Sequence, residues 1–431
     1  MTALSKRALG AYAAAGLPLA AAALPVYVHV PKFYAELGLD LALIGVLLLA
    51  VRVLDAVSDP LLGLLADRVP ARAGGRKAML AAAVPVVAAG MYLLFHPPAN
   101  GIALAPWLAL SLVLVYLGLS AASISYFALG SALSRDYAER TRITAARGVA
   151  ALAGVLLAAA VPELLAREHG AVAGMGYFSV AYAPVLLGAV ALTVLAGPQA
   201  PARRGAQELR LKGMLQPLRN GRFRRLAAVF LVNGVAAAIP ATLVLFYVAD
   251  VLRRPELTAM FLVLYFVSGA AGMPVWVRIA AAVGKTHAWL LAMVLAIAAF
   301  AWAYFLGPGD VAAFAVVCVM SGLAFGADLA LPASMLADVI DDDESQQARP
   351  DGIYFGAWHL LEKLALALAA GIALPLLQFL GYIPGVTAAP GSALPWVYAL
   401  LPCMIKLAAV SLLWFAAPET ARTGVLKGEV T

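Results

Sequence analysis

The sequence predicts an all-α integral membrane protein whose twelve transmembrane helices form two pseudo-symmetric six-helix bundles. Three observations support this fold class. Of the 431 residues, 64% are hydrophobic and only 12% are charged, whereas soluble domains are nearer half apolar and a quarter charged. Long apolar runs recur along the whole chain, and one long basic segment interrupts them near the middle. No soluble core encloses that much apolar surface, so the chain is expected to lie in a membrane.

The transmembrane helices can be counted, because a helix needs about 20 largely apolar residues to cross a bilayer. Dividing the chain at charge clusters and at Gly/Pro breaks gives twelve such segments. In chain order they are approximately 8–31, 39–66, 77–96, 103–132, 144–166, 177–196, 226–250, 258–281, 286–306, 311–337, 352–380 and 394–417. The first run is long for a signal peptide and shows no small-residue cleavage site, so we expect it to be retained as the first helix.

A long polar segment, 197–225, divides the twelve spans into two sets of six and carries eight Lys or Arg residues. We therefore expect an N-terminal six-helix bundle over 1–196, a cytoplasmic linker over 197–225 and a C-terminal six-helix bundle over 226–431. Two similar stretches, LSRDYAERTRITAARG at 133–148 and LADVIDDDESQQARPDG at 336–352, fall at the same point of the two halves. This similarity supports an internal duplication.

Basic residues predict the orientation, because cytoplasmic loops carry an excess of Lys and Arg. With the N-terminus inside, most of the 30 Lys and Arg residues fall in cytoplasmic segments, and the outside segments carry only Lys32, Arg167, Arg253 and Arg254. Both termini are therefore expected in the cytoplasm. The net charge of +7 follows from this topology, so nucleic acid is not an expected partner.

The second span, VRVLDAVSDPLLGLLADR at 51–68, carries three charged residues on one helical face. Arg52, Asp55 and Asp59 are spaced i, i+3 and i+7, so they project from the same side of a helix. A charge at the bilayer centre costs about 3 kcal/mol on insertion scales. This face is therefore expected to meet protein or water. Two explanations fit it: a buried Arg–Asp ion pair that locks helices together, or an oxygen cage for a small cation.

The cage explains more of the pattern, because an ion pair with Arg52 uses only one of the two carboxylates. Ser58 lies between the acids, and Pro60 frees a backbone carbonyl, so several hard oxygen ligands are close together. Without a metal ion, repulsion between the carboxylates favours a bound proton. This charged helical face predicts a coupling site at Asp55 and Asp59 for Na⁺ or H⁺, with Arg52 as a charge partner. No other cofactor is expected.

The pattern R-x-x-D-A-x-x-D-P-x-x-G-x-x-x-D-R at 52–68, followed by GGRK at 74–77, resembles the second-helix signature of the glycoside–pentoside–hexuronide:cation symporters. These symporters are the melibiose-permease-like branch of the major facilitator superfamily. The block MLADVIDDDESQQARPDGIYFGAWHLLEK at 335–363 resembles the same family's loop between helices ten and eleven. The resemblance implies a major facilitator fold and a cation-coupled symporter that works by alternating access in the bacterial inner membrane, not an enzyme.

The resemblance also implies roles for single residues. Ser120 matches a cation-ligating hydroxyl on the fourth span. Arg147 matches a substrate-contacting arginine on the fifth, with a snorkelling arginine as the alternative. Ser123 stands where sugar-transporting relatives carry an aspartate, Phe127 replaces the aromatic residue that stacks on sugar, and Lys363 matches a lysine on helix eleven. The missing carboxylate is a strong acceptor for sugar hydroxyls, so the cation site resembles the family more closely than the sugar site does.

Further polar side chains lie within apolar runs. Asp328 is in the middle of the tenth span, where a local hydrogen bond to helix backbone is the alternative role. His359 and Lys363 are i, i+4 and could bind an anionic group together, whereas Glu362 points about 100° away from Lys363 and is expected to pair with another helix. His29, near the outer end of the first span, is expected at a solvated rim. The predicted substrate-binding residues are Arg147, Ser123, Phe127, Asp328, Trp358, His359 and Lys363.

A gate is expected at the cytoplasmic loops, where the second span's final residues resemble the superfamily's gating loop. Positive-inside anchoring accounts for the same basic residues. Exposed ion pairs are weak, which suits contacts that must open. The predicted gating residues are Asp67, Arg68, Arg76, Asp338, Asp341 and Arg349.

Two other functions are weighed against sugar symport. Relatives with the same second-helix motif move lysophospholipids, and an apolar lining without the sugar-binding acids suits an anionic amphiphile. A membrane enzyme or receptor is the less favoured class, and the chain contains no G-x-x-x-x-G-K-[ST] motif for nucleotide binding. We expect a monomer whose partners are a small-molecule substrate and membrane lipid. The substrate, the choice of Na⁺ or H⁺ and the direction of transport stay open at this point.

Overall fold

A computed structural model describes residues 4–68, 75–98, 104–134, 136–198, 216–341, 351–385 and 393–416. The described residues form helices and turns, with no strand among them. Twelve helices are long and apolar enough to span a membrane, which confirms the all-α, twelve-span prediction. They are α1 Lys6–Glu36, α2 Leu41–Arg68, α3 Gly75–Leu94, α4 Leu104–Ala132, α5 Tyr137–His169, α6 Ala171–Leu195, α7 Gly221–Val251, α8 Thr258–Val283, α9 Lys285–Ala303, α10 Val311–Asp341, α11 Asp351–Phe379 and α12 Ala393–Phe415.

Short polar side chains cap the beginnings of several helices. The Ser5 side chain accepts a hydrogen bond from the Ala8 amide at the start of α1. Asp136 accepts one from the Glu139 amide at 2.9 Å, and Asn220 caps α7 in the same way. Such caps satisfy amides that have no partner within the helix, so the sequence fixes where these spans begin.

Three of the spans contain a π-helical turn, at Pro25–His29 in α1, Tyr247–Val251 in α7 and Trp396–Leu400 in α12. A π turn inserts one residue into the helix and changes the direction of the side chains around it. Two of these turns carry a buried histidine or carboxylate side chain, His29 in α1 and Asp250 in α7.

The described residues fall into two compact units. The first comprises those within Met1–Leu209, Arg254–Val263 and Ala370–Val386, and the second comprises those within Arg210–Arg253, Leu264–Ala369 and Thr387–Thr431. Most of the predicted linker lies outside the described residues, so a division into 1–196 and 226–431 remains a prediction.

In the first unit, small residues let helices approach closely. A Cβ atom added at Gly90 of α3 would lie 2.8 Å from the Val115 amide nitrogen of α4. At Gly45 of α2, an added Cβ would lie 2.8 Å from the Ala370 carbonyl oxygen. Nearby, the Ala42 amide donates to Gln378 Oε1 at 2.6 Å. Such contacts place helix backbones side by side, as is common where membrane helices pack.

The second unit has an aromatic core. The Tyr247 ring stacks on Tyr398, with centroids 4.0 Å apart, and on Phe314 at 5.2 Å. Trp289 and Phe223 are also fully buried. Stacked rings add to the free energy of area burial, so this core holds α7, α10 and α12 together.

Candidate cation and substrate site

Asp55 lies in the interior of the first unit, where α2 packs against α4. Only 2% of the residue is exposed. The Ser120 hydroxyl of α4 donates a hydrogen bond of 2.7 Å to Asp55 Oδ1, and Arg52 Nη1 lies 3.6 Å from Asp55 Oδ2. The structure thus brings together three residues that the sequence predicts for the cation site, and it places the Asp55 carboxylate against protein as predicted.

Asp59 is one turn further along α2 and is partly buried, with its Oδ1 atom inside the protein. Ser58 Oγ donates to the Asp55 carbonyl at 2.8 Å, so its proton is used locally while its oxygen lone pairs stay available to a cation. The helix continues through Pro60, which has no N–H for the Ala56 carbonyl. Carboxylate, hydroxyl and backbone oxygens therefore occur within one helical turn.

Arg52 contacts an aromatic ring as well as the Asp55 carboxylate. Its guanidinium carbon lies 4.2 Å from the centroid of the Tyr116 ring of α4, a cation–π distance. The Nη1–Oδ2 separation of 3.6 Å exceeds the 2.7–2.9 Å of a strong charge-assisted hydrogen bond. The second acid, Asp59, lies one turn beyond this pair. An ion pair between Arg52 and Asp55 therefore explains only two of the three charged residues on this face.

Sites made of three or more His, Cys, Asp or Glu side chains are absent from the portion of the chain that the structure describes. A cation held by Asp55 and Asp59 would therefore complete its shell with hydroxyl, backbone or water oxygens. That donor set suits Na⁺, which like other hard cations prefers oxygen ligands.

A second cluster in the first unit contains predicted substrate residues. The Arg147 guanidinium carbon of α5 lies 4.5 Å from the centroid of the Phe127 ring of α4, and the phenol of Tyr12 interacts with Arg147. The Tyr12 and Tyr126 rings stack at 4.8 Å. Ser123, half-buried, lies one turn before Phe127. Arginine is suited to bind a carboxylate or phosphate group, so this cluster can take an anionic ligand. Tyr12 is a member that sequence reasoning missed.

Asp328 of α10 lies in a polar network within the second unit. Its Oδ1 accepts hydrogen bonds from Trp289 Nε1 at 2.7 Å and from Asn233 Nδ2 at 2.9 Å. Lys406 Nζ donates to Asn233 Oδ1 at 2.5 Å and lies 3.6 Å from Asp328 Oδ2. Both carboxylate oxygens thus meet side chains of other helices rather than local backbone. The role of Asp328 in substrate binding stays a prediction.

The predicted residues of α11 differ in their surroundings. Trp358 is buried, with its ring centroid 4.0 Å from that of Phe230, so it packs in the core of the second unit. His359 Nδ1 lies 2.9 Å from Glu362 Oε2, and these side chains are 57% and 47% exposed. The expectation that Glu362 pairs with another helix is wrong, because the i,i+3 spacing brings it to His359. Lys363 is half-buried on the same helix.

The basic residues after α2 bind helix ends of the first unit. Arg76 donates to the Ala128 carbonyl of α4 at 3.2 Å, and Lys77 donates to the carbonyls of Val194 and Gly197 at the end of α6. Cations at helix C-termini are favourable. Among the other predicted gating residues, Asp338 binds Lys285 Nζ at 2.6 Å. The side chains of Asp67, Arg68 and Asp341, and all of Arg349, lie outside the described residues.

The expectation of a solvated rim for His29 is wrong. The residue is 4% exposed, and Nδ1 lies 3.6 Å from Glu163 Oε1 of α5. Spacing along α1 shows which residues share a face, but it does not show which other helix that face contacts, so this neighbour could not be predicted.

Residues 10–418 match the family model described as MFS/sugar transport protein, where MFS denotes the major facilitator superfamily. The chain belongs to this family. The resemblance to glycoside–pentoside–hexuronide symporters and the major facilitator fold are therefore confirmed. As a member of this family, the protein is a membrane transporter and not an enzyme.

Curated relatives of the chain carry transporter names. It is 26% identical over 372 residues to the inner membrane symporter YicJ of Escherichia coli (strain K12), covering 83% of this chain and 79% of the relative. It is 24% identical over 413 residues to the glucuronide carrier protein homolog of the same strain, covering 89% and 86%. A partial match, 24% identical over 47% of this chain and 38% of the relative, is the sodium-dependent lysophosphatidylcholine symporter 1-A of Danio rerio.

Solved structures support the same architecture. The crystal structure of the nucleoside transporter NupG superposes with a TM-score of 0.71 at 16% identity, covering 96% of this chain and 99% of that one. At this identity the match concerns the fold alone. It agrees with the twelve-helix architecture of the described residues.

Proposed function

We propose that the protein is a cation-coupled symporter whose coupling ion binds at Asp55 and Asp59. One observation carries the proposal: a buried carboxylate on α2 accepts a hydrogen bond from Ser120 on α4, with a second carboxylate one turn away. Two acids inside a membrane protein are costly unless they serve an ion or a partner. Na⁺ is the favoured ion because the surrounding ligands are all oxygens, and H⁺ is the alternative.

Coupling requires that the ion bind two conformations of the transporter with different affinity, since equal binding shifts no equilibrium. Ser120 and Asp55 sit on different helices, so a change in the contact between α2 and α4 alters the cation's ligands directly. This is the property that alternating-access symport needs.

The proposed substrate is a sugar derivative of the glycoside, pentoside or hexuronide class, with a hexuronide favoured. Arg147 supplies a planar cation that matches a carboxylate, and Phe127 supplies an aromatic face beside it at 4.5 Å. The similarity to a glucuronide carrier homolog supports the same class. Ser123 offers a hydroxyl but no charge, which suits a substrate whose negative charge is read by Arg147.

The test is counterflow of labelled glucuronide and neutral glycoside in proteoliposomes, for the wild type and Asp59→Asn, with Na⁺ and proton gradients imposed separately. Asp59→Asn is expected to retain exchange of substrate while losing acceleration by the ion gradient. Asp40→Asn, which removes an exposed carboxylate just before α2, serves as the matched control. Steep dependence on the gradient in Asp59→Asn would overturn the coupling assignment.

A second candidate cargo is an anionic amphiphile such as a lysolipid. The partial similarity to a sodium-dependent lysophosphatidylcholine symporter supports it, and Arg147 would then bind the headgroup phosphate. Thermal stabilisation of the purified protein by glucuronide or by lysophospholipid, each with and without Na⁺, separates the two. Stabilisation by the lipid alone would reject the sugar proposal.

The proposed setting is the bacterial inner membrane, with both termini in the cytoplasm and the protein acting as a monomer. The bias of Lys and Arg to one side of the spans supports the orientation, and the relative named an inner membrane symporter supports the location. The proposed partners are the substrate, the coupling ion Na⁺ or H⁺ and lipid, with no nucleic acid. Reporter fusions to each terminus test the orientation.

A further inference from the structure

A buried histidine and a buried glutamate face each other in the first unit, apart from the residues assigned to cation and sugar. His29 is the last residue of the π-helical turn Pro25–His29 in α1, and Glu163 lies in α5. Their Nδ1 and Oε1 atoms are 3.6 Å apart, and the side chains are 4% and 17% exposed. Two ionisable side chains in a membrane interior mark a functional site more often than a structural one.

The local sequence builds this pair from both helices. The π turn of α1 changes the direction of the side chains around it, and α1 packs against α5. On α5, Pro162 directly precedes Glu163 and has no N–H for the Ala158 carbonyl, and that carbonyl acts on the His29 ring. His29 Nε2 is buried and has no hydrogen-bond partner among the residues that the structure describes. The groups found near the ring, the Glu163 carboxyl group and the Ala158 carbonyl, are oxygens.

This arrangement suits one shared proton. With one proton the pair is either neutral His with neutral Glu or imidazolium with carboxylate, and both forms carry no net charge. With no proton a bare carboxylate is buried, and with two protons a bare cation is buried, both of which are costly. When two ionisable groups interact strongly, their protonation steps belong to the pair and not to either residue.

The surrounding charges make that proton exchangeable. Lys32 and Glu36 follow His29 on α1, with Lys32 Nζ 3.9 Å from Glu36 Oε1. Arg167 lies one turn after Glu163 on α5, and its positive charge, like that of Lys32, acts on Glu163. The two cations favour the carboxylate form of Glu163, whereas its burial and the charge of Glu36 favour the neutral acid. Glu163 is the more exposed side chain of the pair, so the proton is expected to exchange through it.

We propose that His29 and Glu163 form a proton-binding site of this transporter, separate from the site at Asp55 and Asp59. The proton enters through Glu163 and is held by the pair, on either the Glu163 carboxyl group or the His29 ring, which lie 3.6 Å apart. The site gives the transporter a dependence on external proton concentration that does not require H⁺ to be the coupling ion.

The experiment is an infrared titration of the full-length protein in lipid nanodiscs between about pH 5 and pH 8, the range in which histidine changes charge. The band followed is the carbonyl stretch of a protonated carboxyl group. It is expected to titrate in the wild type, to vanish in Glu163→Gln and to shift its midpoint in His29→Gln. Glu168→Gln, an exposed carboxylate on the same helix, is expected to match the wild type. An identical titration in Glu163→Gln and the wild type overturns the proposal.

Histidine NMR gives a second readout that does not depend on the Glu163 variant. The chain has five histidines, so the His29 signal can be assigned by its loss in His29→Gln. It is expected to titrate together with the carboxyl band in the wild type. A His29 signal that titrates independently of that band overturns the shared proton, even if Glu163→Gln fails to fold.

Transport assays separate this inference from the proposed coupling site. Glu163→Gln is expected to flatten the dependence of uptake on external pH while keeping acceleration by a Na⁺ gradient. Asp59→Asn is expected to do the reverse and to keep the infrared titration. Loss of the Na⁺ effect in Glu163→Gln would show that the two sites are one, and would overturn their separation.

Discussion

The hydroxyl of Ser120 donates a 2.7 Å hydrogen bond to the buried Asp55 carboxylate, joining α4 to α2 inside the first unit. This bond holds one carboxylate oxygen of Asp55 in position and places the Ser120 hydroxyl oxygen beside it. The ligands of the proposed cation are therefore ordered by a contact between helices rather than by a loop.

Replacing Ser120 with alanine is expected to weaken cation binding. A hydrogen bond to a charged group contributes about 1.5–3 kcal/mol, so the Na⁺ concentration for half-maximal uptake should rise roughly ten- to hundred-fold. Ser131→Ala, which removes an exposed hydroxyl from the same helix, should leave it unchanged. Equal Na⁺ requirements in the two variants would show that Ser120 does not order the site.

Arg147 is expected to discriminate between charged and neutral sugars. Arg147→Gln removes the cation above Phe127, so KM for a glucuronide should rise about ten- to hundred-fold, the loss of one charge-assisted hydrogen bond of about 1.5–3 kcal/mol. KM for a neutral glycoside should change little. Arg142→Gln, one turn earlier and ion-paired to Glu139, is the control. Equal changes in KM for both sugars would argue against substrate contact by Arg147 and in favour of the alternative, a side chain that reaches to the membrane interface.

The pair of Lys406 and Asp328 is expected to stabilise the second unit. Removing one partner of a buried ion pair costs about 3–5 kcal/mol, so Lys406→Met should lower the melting temperature markedly, and adding Asp328→Asn should recover part of the loss. Lys285→Met breaks an exposed pair with Asp338 and should cost under about 1 kcal/mol. If Asp328→Asn instead raises KM at unchanged stability, Asp328 binds substrate.

Close packing of α1 on α5 can be tested with two glycines of the same helix. A Cβ at Gly154 would lie 2.9 Å from the Leu17 carbonyl carbon, whereas a Cβ at Gly148 would meet nothing within 4 Å. Gly154→Ala should destabilise the protein by about 1–3 kcal/mol through overpacking. Gly148→Ala should be neutral or stabilise it by up to about 1 kcal/mol. Thermal unfolding of both variants, compared at one detergent concentration, decides between these outcomes.

Much of the fold could be predicted, because span length and apolar runs depend on each segment alone. The facing of Arg52, Asp55 and Asp59 likewise follows from helical periodicity within one segment. The approach of Ser120 to Asp55 is consistent with a role that the family resemblance implied. In each case the signal lies in local spacing or in a motif.

Contacts between helices that no family motif marks could not be predicted from the sequence. Lys406 and Asn233 are far apart in the chain, and nothing in either span indicates that both reach Asp328. His29 was expected at a solvated rim because it lies near the end of a span, yet it is buried beside Glu163 of another helix. Glu362 could pair along its own helix or across to another, and only packing decides.

The first unit draws on residues from Ala370–Val386, and this has a consequence for biosynthesis. Gly45 and Ala42 of α2 meet Ala370 and Gln378 of α11, which leave the ribosome more than 300 residues later. The face of α2 that carries Gly45 therefore lacks its α11 contacts until α11 has been synthesised and inserted. A chain that stops before α11 would leave that face permanently without them.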